Sequence, residues 1–412
     1  MKVAVFAEYL PPRLGSDRRI FEIMKRLSSK HEVHFVVFPP FRELRDRSVE
    51  NRRKSLSQDG YSTVKFENIK GHLISVSPRV ALLWQRSLLV GYCLTALFVF
   101  LKSIRTMRTV NSDIVVLNYP SPYTGLLGFL EAKLWNKPVI VDFNDLIAQY
   151  TGALLNLKKG SFAAKLLVLV QNYIVKNADW VVTPTRLIKK YATALGIPER
   201  KIRIISNGVD TKMFCSSRFN CFELRNDLHL ENEKICVYCG RLDGWAGMNI
   251  MRKICETAKM RGLAAKFLLV GSGEGKTLHG ENIISLGEVP YEKVPSVLAI
   301  ADVILIPFPD NEVSHAASPL KLFEGMAMQK PIIASKVSGI EEVVLDGDNG
   351  FLVDPNDLHG WIYKLEMVLN TGTLASTMGQ KAKRTVEERF DWTVLAQRFE
   401  EVLNVACPKW KE

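Results

Sequence analysis

Short runs of β-branched and other apolar residues alternate with helix-patterned stretches along all 412 residues, and this alternation constrains the fold more than any single motif. Two parallel strands cannot be joined by a tight turn, so a strand–helix–strand succession points to parallel sheets linked by right-handed crossovers. In the first half the runs predict strands at 2–8, 32–38, 113–119, 138–145, 180–185 and 201–206, with helices filling the gaps. A second series falls at 234–239, 266–271, 283–287, 303–307, 331–335 and 351–353. Between them Asn207-Gly208-Val209-Asp210 breaks the pattern and a polar stretch runs to Glu233. The boundary is therefore placed near Asn207, with one domain over 1–206 and a second over 207–390. Each half spells a doubly wound α/β sheet on its own. Ligands of such sheets bind beyond the carboxyl ends of the strands, where the connections reverse direction. Two facing sheets of this kind would make an interdomain cleft suited to a reaction with two substrates, one held by each half.

Length agrees with two domains, since a single hydrophobic core rarely organises a chain this long. Hydrophobic residues make up 47% and charged residues 24%, the balance of a folded chain. The net charge of +12 is unevenly spread: residues 1–200 hold 30 Lys/Arg and 15 Asp/Glu, whereas the other 212 hold 25 and 28. An amino half this basic suits an anionic surface or substrate, whether nucleic acid, acidic phospholipid or a phosphorylated carrier lipid. Nucleic acid is disfavoured, because no RNA-binding signature, zinc finger or aromatic–basic stripe occurs.

Seven cysteines without paired spacing argue against a disulfide framework and for a reducing compartment. Cys236-Val237-Tyr238-Cys239 has C-x-x-C spacing, but in a strand residues three apart face opposite ways, so no shared metal is expected. The opening Val3-Ala4-Val5-Phe6-Ala7 is too short for a signal-peptide core, and a cytoplasmic protein is expected. The longest apolar run, 87–101, covers 15 residues, against about 20 for a membrane span. It reads as a buried helix of the first domain, or as a helix with one face dipping into a leaflet and Arg86, Lys102, Arg105 and Arg108 on acidic headgroups. The basic segment 42–58 has weak periodicity and reads as a loop or frayed helix.

In the carboxyl half, Ser318-Pro319-Leu320-Lys321-Leu322-Phe323-Glu324-Gly325-Met326-Ala327 reads as a helix start built to hold an anion. Ser318 suits the N-cap and Pro319 the first helical position, leaving free N–H groups for which phosphate is a natural guest. Leu320, Phe323 and Ala327 share a face that would enter a core; Lys321, Glu324 and Met328 share the neighbouring face, which would line a crevice. A cation near the helix start and an acid one turn inside suit a ligand with a diphosphate at one end and sugar hydroxyls at the other. The plain alternative is a solvated Lys–Glu pair. Three further strand ends in this half carry Gly240-Arg241, Gly271-Ser272-Gly273-Glu274 and Gly287-Glu288-Val289-Pro290. Each glycine admits close backbone approach to a ligand, and Arg241 can clamp a phosphate.

With these ends in this order, the chain resembles the GT-B retaining glycosyltransferases of the group 1 or family 4 type over nearly its whole length. The matching segments are Pro11-Pro12-Arg13-Leu14-Gly15-Ser16, Ser206-Asn207-Gly208-Val209-Asp210 with Phe214, Gly240-Arg241-Leu242, Leu269-Val270-Gly271-Ser272-Gly273, the Ser318–Glu324 stretch, and Asn349-Gly350-Phe351-Leu352-Val353. The resemblance implies two facing Rossmann-like domains, the second holding a nucleoside-diphosphate sugar as donor substrate and the first an acceptor, with no metal or other cofactor. It implies that Arg241 neutralises the departing diphosphate and that Glu324 accepts hydrogen bonds from ribose hydroxyls. Gly287 and Val289 would border the base, and the Leu320 and Lys321 amides would touch the phosphates, with Gly240, Gly271, Gly273 and Ser318 completing the donor side. The last helix, about 391–412, would cross back to the first domain.

Three positions depart from the family pattern. The lysine that assists the arginine in G-R-L-x-x-x-K-G is Ala246 here, and Lys321 is the expected replacement cation. The first acid of the E-x7-E pair is Ala316. Where a histidine often ends the fourth strand of the first domain, this chain has Asp142-Phe143-Asn144-Asp145. Asn144 can offer an amide to the transferred sugar but cannot act as a base.

On the acceptor side, Gly15 and Ser16 precede a helix start near Asp17, either an anion site or a plain N-cap. Arg13, Arg18 and Arg19 would meet an acceptor phosphate or be solvated. His315 is read as structural in preference to sugar-binding, and Trp84 as core in preference to a membrane anchor. The absence of G-x-S-x-G, of a Walker loop and of G-x-G-x-x-G after the first strand disfavours serine hydrolysis, nucleotide hydrolysis and hydride transfer. The expectation is a cytoplasmic, peripherally membrane-associated hexosyltransferase acting on a lipid-linked or envelope-glycan acceptor. A nucleotide-sugar-binding protein without turnover, a sugar-nucleotide epimerase and a membrane scaffold are the alternatives.

Overall fold

A computed structural model of the chain describes residues 1–12, 15–39, 61–75, 88–146, 148, 160–273 and 278–408. The expectations for Arg13, for the basic segment 42–58 and for Trp84 lie outside the described residues. The chain divides into two compact units, Met1–Ile205 with Leu395–Glu412, and Ser206–Val394.

The first unit comprises β1 (Lys2–Ala7), α1 (Gly15–Leu27), β2 (Glu32–Val37), β3 (Tyr61–Phe66), β4 (Ile69–Ile74), α2 (Leu88–Val110), β5 (Ile114–Leu117), α3 (Thr124–Leu134), β6 (Val139–Asp142), α4 (Phe162–Lys176), β7 (Trp180–Thr183), α5 (Arg186–Ala194) and β8 (Ile202–Ile204). Its sheet runs β3-β4-β2-β1-β5-β6-β7-β8. All neighbours are parallel except β3 and β4, whose register pairs Tyr61 with Ile74 and Phe66 with Ile69. This hairpin replaces the helix expected in that gap: Glu67, at φ 52°, turns the chain so that the short β3 can cap the sheet edge. The central strands are fully buried from Val3 to Ala7 and from Ile114 to Leu117, as a parallel sheet covered on both faces requires. Order reverses between β1 and β5, which places the switch point beside the loops after those strands.

The second unit comprises α6 (Cys221–Asp227), β9 (Ile235–Cys239), α7 (Met248–Met260), β10 (Lys266–Val270), β11 (Ile283–Gly287), α8 (Val294–Ala299), β12 (Val303–Ile306), α9 (Glu312–Ala316), α10 (Leu320–Ala327), β13 (Ile332–Ser335), α11 (Ser338–Glu341), β14 (Phe351–Val353), α12 (Leu358–Asn370) and α13 (Gly372–Arg389). Its six strands are all parallel in the order β11-β10-β9-β12-β13-β14, reversing between β9 and β12. Alternation along β9 sends Cys236 and Tyr238 into one core and Val237 and Cys239 toward the other, so the C-x-x-C cysteines do face opposite ways. Among the described residues no His/Cys/Asp/Glu cluster could hold a metal. The final helix, α14 (Trp392–Ala406), begins in this unit, and its part from Leu395 belongs to the first. There Leu395, Phe399 and Leu403 are buried and Glu400 meets Lys30 at 2.8 Å.

Candidate active site

Three loops at the carboxyl edge of the second sheet are laced by backbone hydrogen bonds. Gly240 N–H donates to the Val270 carbonyl (2.8 Å), Leu242 N–H to Ser272 (2.9 Å) and Gly271 N–H to Gly287 (2.7 Å). Gly240 and Gly271 have φ of 143° and 142°, a conformation other residues rarely adopt. A Cβ at Gly271 would run into the Gly240 carbonyl, and one at Gly240 would stand 2.6 Å from Lys321 Nζ. Protein therefore makes the close approach at these two glycines, where the sequence reading placed a ligand. At Gly287 nothing lies within 4 Å of where a Cβ would be, so that position is open. Gly273 packs against the Leu242 backbone, and Val289 lies partly buried against the core. A cavity of about 660 Å³ beside β11, with Leu278, His279 and Ser285 in its wall, shares only Gly287 with these residues.

Lys321, near the start of α10, folds back over β9. Its Nζ donates to the Tyr238 hydroxyl at 2.7 Å and lies 4.1 Å from the centre of that ring and 5.4 Å from that of Phe308. The Tyr238 hydroxyl in turn faces the carbonyls of Arg241 (2.6 Å) and Ala246 (3.2 Å). The ammonium thus sits one hydroxyl away from the position where the family pattern has its lysine. Burial pushes the Lys321 pKa down to about 8, against the opposing pull of Cys239 and Glu324. Glu324, one turn on, is buried and accepts from the Tyr291 hydroxyl at 3.0 Å; Tyr291 packs on Phe214 with ring centres 5.7 Å apart. Arg241 is half-exposed and forks onto Asp243 Oδ2 through Nε (2.8 Å) and Nη2 (2.5 Å). The pair thus joins a half-exposed guanidinium to a carboxylate that is largely withdrawn from solvent.

The cap of α10 falls one residue later than the pattern Ser318-Pro319 suggests. Pro319, with ψ 129°, is the N-cap and Leu320 the first helical residue. The Ser318 hydroxyl turns instead toward Ser206 (3.3 Å) and the Asn207 N–H (3.4 Å), while the Asn207 side chain donates to the Ser318 carbonyl at 2.5 Å. Ser318 therefore ties down the segment at 206–207 and caps nothing. The first-turn amides of Leu320 and Lys321 keep no intrahelical partner. Met328 is fully buried in the core and does not line a crevice. His315 is locked: its Nδ1 accepts from the Ser338 N–H (3.1 Å) and Nε2 meets Asp310 at 2.7 Å.

In the first unit α1 starts at Gly15, which is exposed; the Ser16 side chain lies outside the described residues. Arg18 reaches along its own helix to Glu22 at 3.7 Å. Arg19 is neither solvated nor open to a ligand. It is fully buried and grips Asp142 through Nε at 2.8 Å and Nη2 at 3.1 Å. Asn144 is also buried; its amide donates to the Asn118 carbonyl at 3.0 Å, and its Oδ1 has no partner. With that assignment Asn144 offers an acceptor, where the sequence reading expected a donor. Asp145 beside it has its pKa raised to about 6 by burial, opposed by the Leu146 N–H. Tyr238, Tyr291 and Asn118 escaped the sequence reading. Their roles arise from contacts 83, 33 and 26 residues away in the chain, which no local pattern encodes.

The same architecture recurs in solved structures. The Anabaena protein HepE in complex with UDP-glucose aligns at a TM-score of 0.70 and 17% identity, covering 98% of this chain and all of that one. The fold is that of the GT-B glycosyltransferases. The family model "Glycosyltransferase Family 4" matches residues 15–213, and "Glycosyl transferases group 1" matches residues 233–371. The chain belongs to the group 1, family 4 type of glycosyltransferases. Among its relatives are an uncharacterized glycosyltransferase of Methanocaldococcus jannaschii, 22% identical over 98% of both chains, and the capsular polysaccharide biosynthesis glycosyltransferase CapM of Staphylococcus aureus, 23% identical over 85% of this chain and 88% of that one.

Proposed function

We propose that the protein moves a hexose from a nucleoside diphosphate to a lipid-linked or envelope-glycan acceptor at the cytoplasmic face of a membrane, with retained anomeric configuration and without a metal or other cofactor. The carrying observation is the pairing, one turn apart on α10, of a cation held by a neutral hydroxyl with a buried carboxylate. Breaking a glycosyl–phosphate bond puts negative charge on the leaving diphosphate, and preformed donors aimed there lower the barrier. Lys321, the first-turn amides of α10 and Arg241, once released from Asp243, would supply them. Glu324 would hold the ribose hydroxyls, and open Gly287 with Val289 would border the base. Gly15, Ser16 and Arg18 remain the proposed acceptor side, with Asn144 Oδ1 accepting from the transferred sugar. HepE was crystallised with UDP-glucose and CapM is named for capsular polysaccharide, which supports a uridine nucleotide and an envelope acceptor.

Ala246 motivates the reading of a binding protein without turnover. Lys321, standing one hydroxyl from that residue, weakens the motive. Purified protein given a panel of nucleoside-diphosphate sugars and a membrane extract is expected to transfer sugar and release nucleoside diphosphate. Tight nucleotide binding with neither transfer nor donor hydrolysis would establish the binding protein instead, and isomerised donor formed without acceptor would establish an epimerase.

A further inference from the structure

Three helices of the first unit expose an apolar face that the fold does not cover. On α2, Thr95, Val99, Ser103 and Thr106 are buried, whereas Leu94, Leu97 and Leu101 are exposed at i, i+3 and i+7. That stripe continues into exposed Arg105 and Arg108. On α4, Phe162 (83% exposed), Leu166, Leu169 (64%) and Tyr173 repeat the pattern at i, i+4, i+7 and i+11, flanked by exposed Lys165 and Lys176. Helix α3 packs between the two and adds exposed Leu130 and Leu134 with Lys133. The Phe129 ring of α3 meets the Tyr173 ring of α4 edge-on with centres 5.8 Å apart, and Ser103 of α2 bonds Glu131 of α3. The three stripes are therefore neighbours on one side of the sheet. Isolated exposed leucines are ordinary, but a contiguous set across three helices marks an interaction site.

Charge identifies the occupant. Helices α2 and α4 contain no acid, and the one acid of α3, Glu131, is fully buried, so the three helices themselves expose only cations, one of which, Lys133, lies 3.8 Å from the half-exposed Asp179 just beyond α4. Two copies of this chain meeting through the face would bring like charges together. No described helix is long and apolar enough to cross a membrane. We infer that the α2–α3–α4 face docks onto an anionic phospholipid bilayer, with its leucines and Phe162 below the headgroups and Arg105, Arg108, Lys133, Lys165 and Lys176 at the lipid phosphates. The inference deepens the membrane-bound acceptor of the preceding reading by naming the surface that reaches it.

Co-sedimentation of the full chain with vesicles of phosphatidylglycerol and phosphatidylcholine in equal parts tests it. Wild type should pellet, less so as salt rises, and far more weakly with phosphatidylcholine alone. Leu97→Glu with Leu169→Glu should weaken binding at least roughly tenfold, and Arg105→Gln or Lys165→Gln roughly fivefold each. Both positions are exposed, so circular dichroism and calorimetric donor affinity should stay as in wild type. The inference is overturned if wild type ignores anionic vesicles, if the double glutamate variant pellets as wild type does, or if sedimentation equilibrium shows a dimer that this variant splits. Wild type that binds donor but not anionic vesicles overturns only the docking face; wild type that binds the vesicles but no donor overturns only the transferase reading.

Discussion

Two cations at the strand ends of the two units are withdrawn from water in opposite ways. Arg19 has no exposed side-chain surface and spends its guanidinium on the equally buried Asp142. Lys321 hydrogen-bonds a neutral phenol and stands over its ring. An ion pair closed on both sides has no charge left for a ligand, and its removal exposes the partner to the full cost of an unpaired buried charge. A cation held by a hydroxyl and a π face is fixed in place yet retains its positive field. The first arrangement serves the fold; the second leaves the positive field that the proposed function asks of Lys321.

The largest effect expected from this contrast is on stability. Arg19→Ala should destabilise the protein by about 3–5 kcal/mol in urea unfolding, because the Asp142 carboxylate remains buried without its partner. Pairing Arg19→Met with Asp142→Leu should recover most of that loss. A single variant costing under about 1 kcal/mol would erase the difference between the two cations. Lys321→Met should do the converse, lowering turnover by about a hundredfold or more with little loss of stability. Titration sharpens the contrast further. With a pKa of about 8, Lys321 loses its charge as pH rises through that value, so donor affinity in wild type should fall between about pH 7 and 9 and stay level in Lys321→Met. The folded-state pKa lies below the ordinary lysine value, so the neutral form's contribution to stability is lost as pH falls toward about 8; Lys321→Met should remove that slope too.

Strand order was legible because apolar runs of four to six residues, punctuated by Gly or Pro, permit little else in a parallel sheet. Ile283–Gly287 and Phe351–Val353 match their predicted limits to the residue. The β3–β4 hairpin was not, since Tyr61–Phe66 alternates too weakly and sits at an edge where one face needs no core. At the site, local spacing put Lys321 and Glu324 on one side of a helix. It could not show what either touches. Ser318 was misassigned because capping preference is a local signal, and here a contact with Asn207, 111 residues away, outweighs it. The burial of Arg19 is illegible for the same reason: its contact with Asp142, 123 residues on, is a property of the assembled sheet. The apolar run at 87–101 is legible only in part. Its helix buries one face as a core helix does and exposes the other, and α4, which completes the face, gave no comparable signal.

The smallest predicted effect bears on how Lys321 is held. Tyr238→Phe keeps the ring under the ammonium and removes only the hydroxyl that joins Lys321 to the Arg241 and Ala246 carbonyls. Donor affinity should fall by about threefold to tenfold, the worth of one hydrogen bond, well short of the loss from Lys321→Met. A double-mutant cycle then separates two ways the hydroxyl can act. If it serves by positioning the ammonium, Tyr238→Phe has nothing left to disturb once Lys321 is methionine, and the double variant should match Lys321→Met alone. Fully additive losses would mean that the hydroxyl works through the Arg241 loop independently of the lysine. The cation would then be held by the ring alone, and the contrast with Arg19 would rest on the π face without the hydrogen bond.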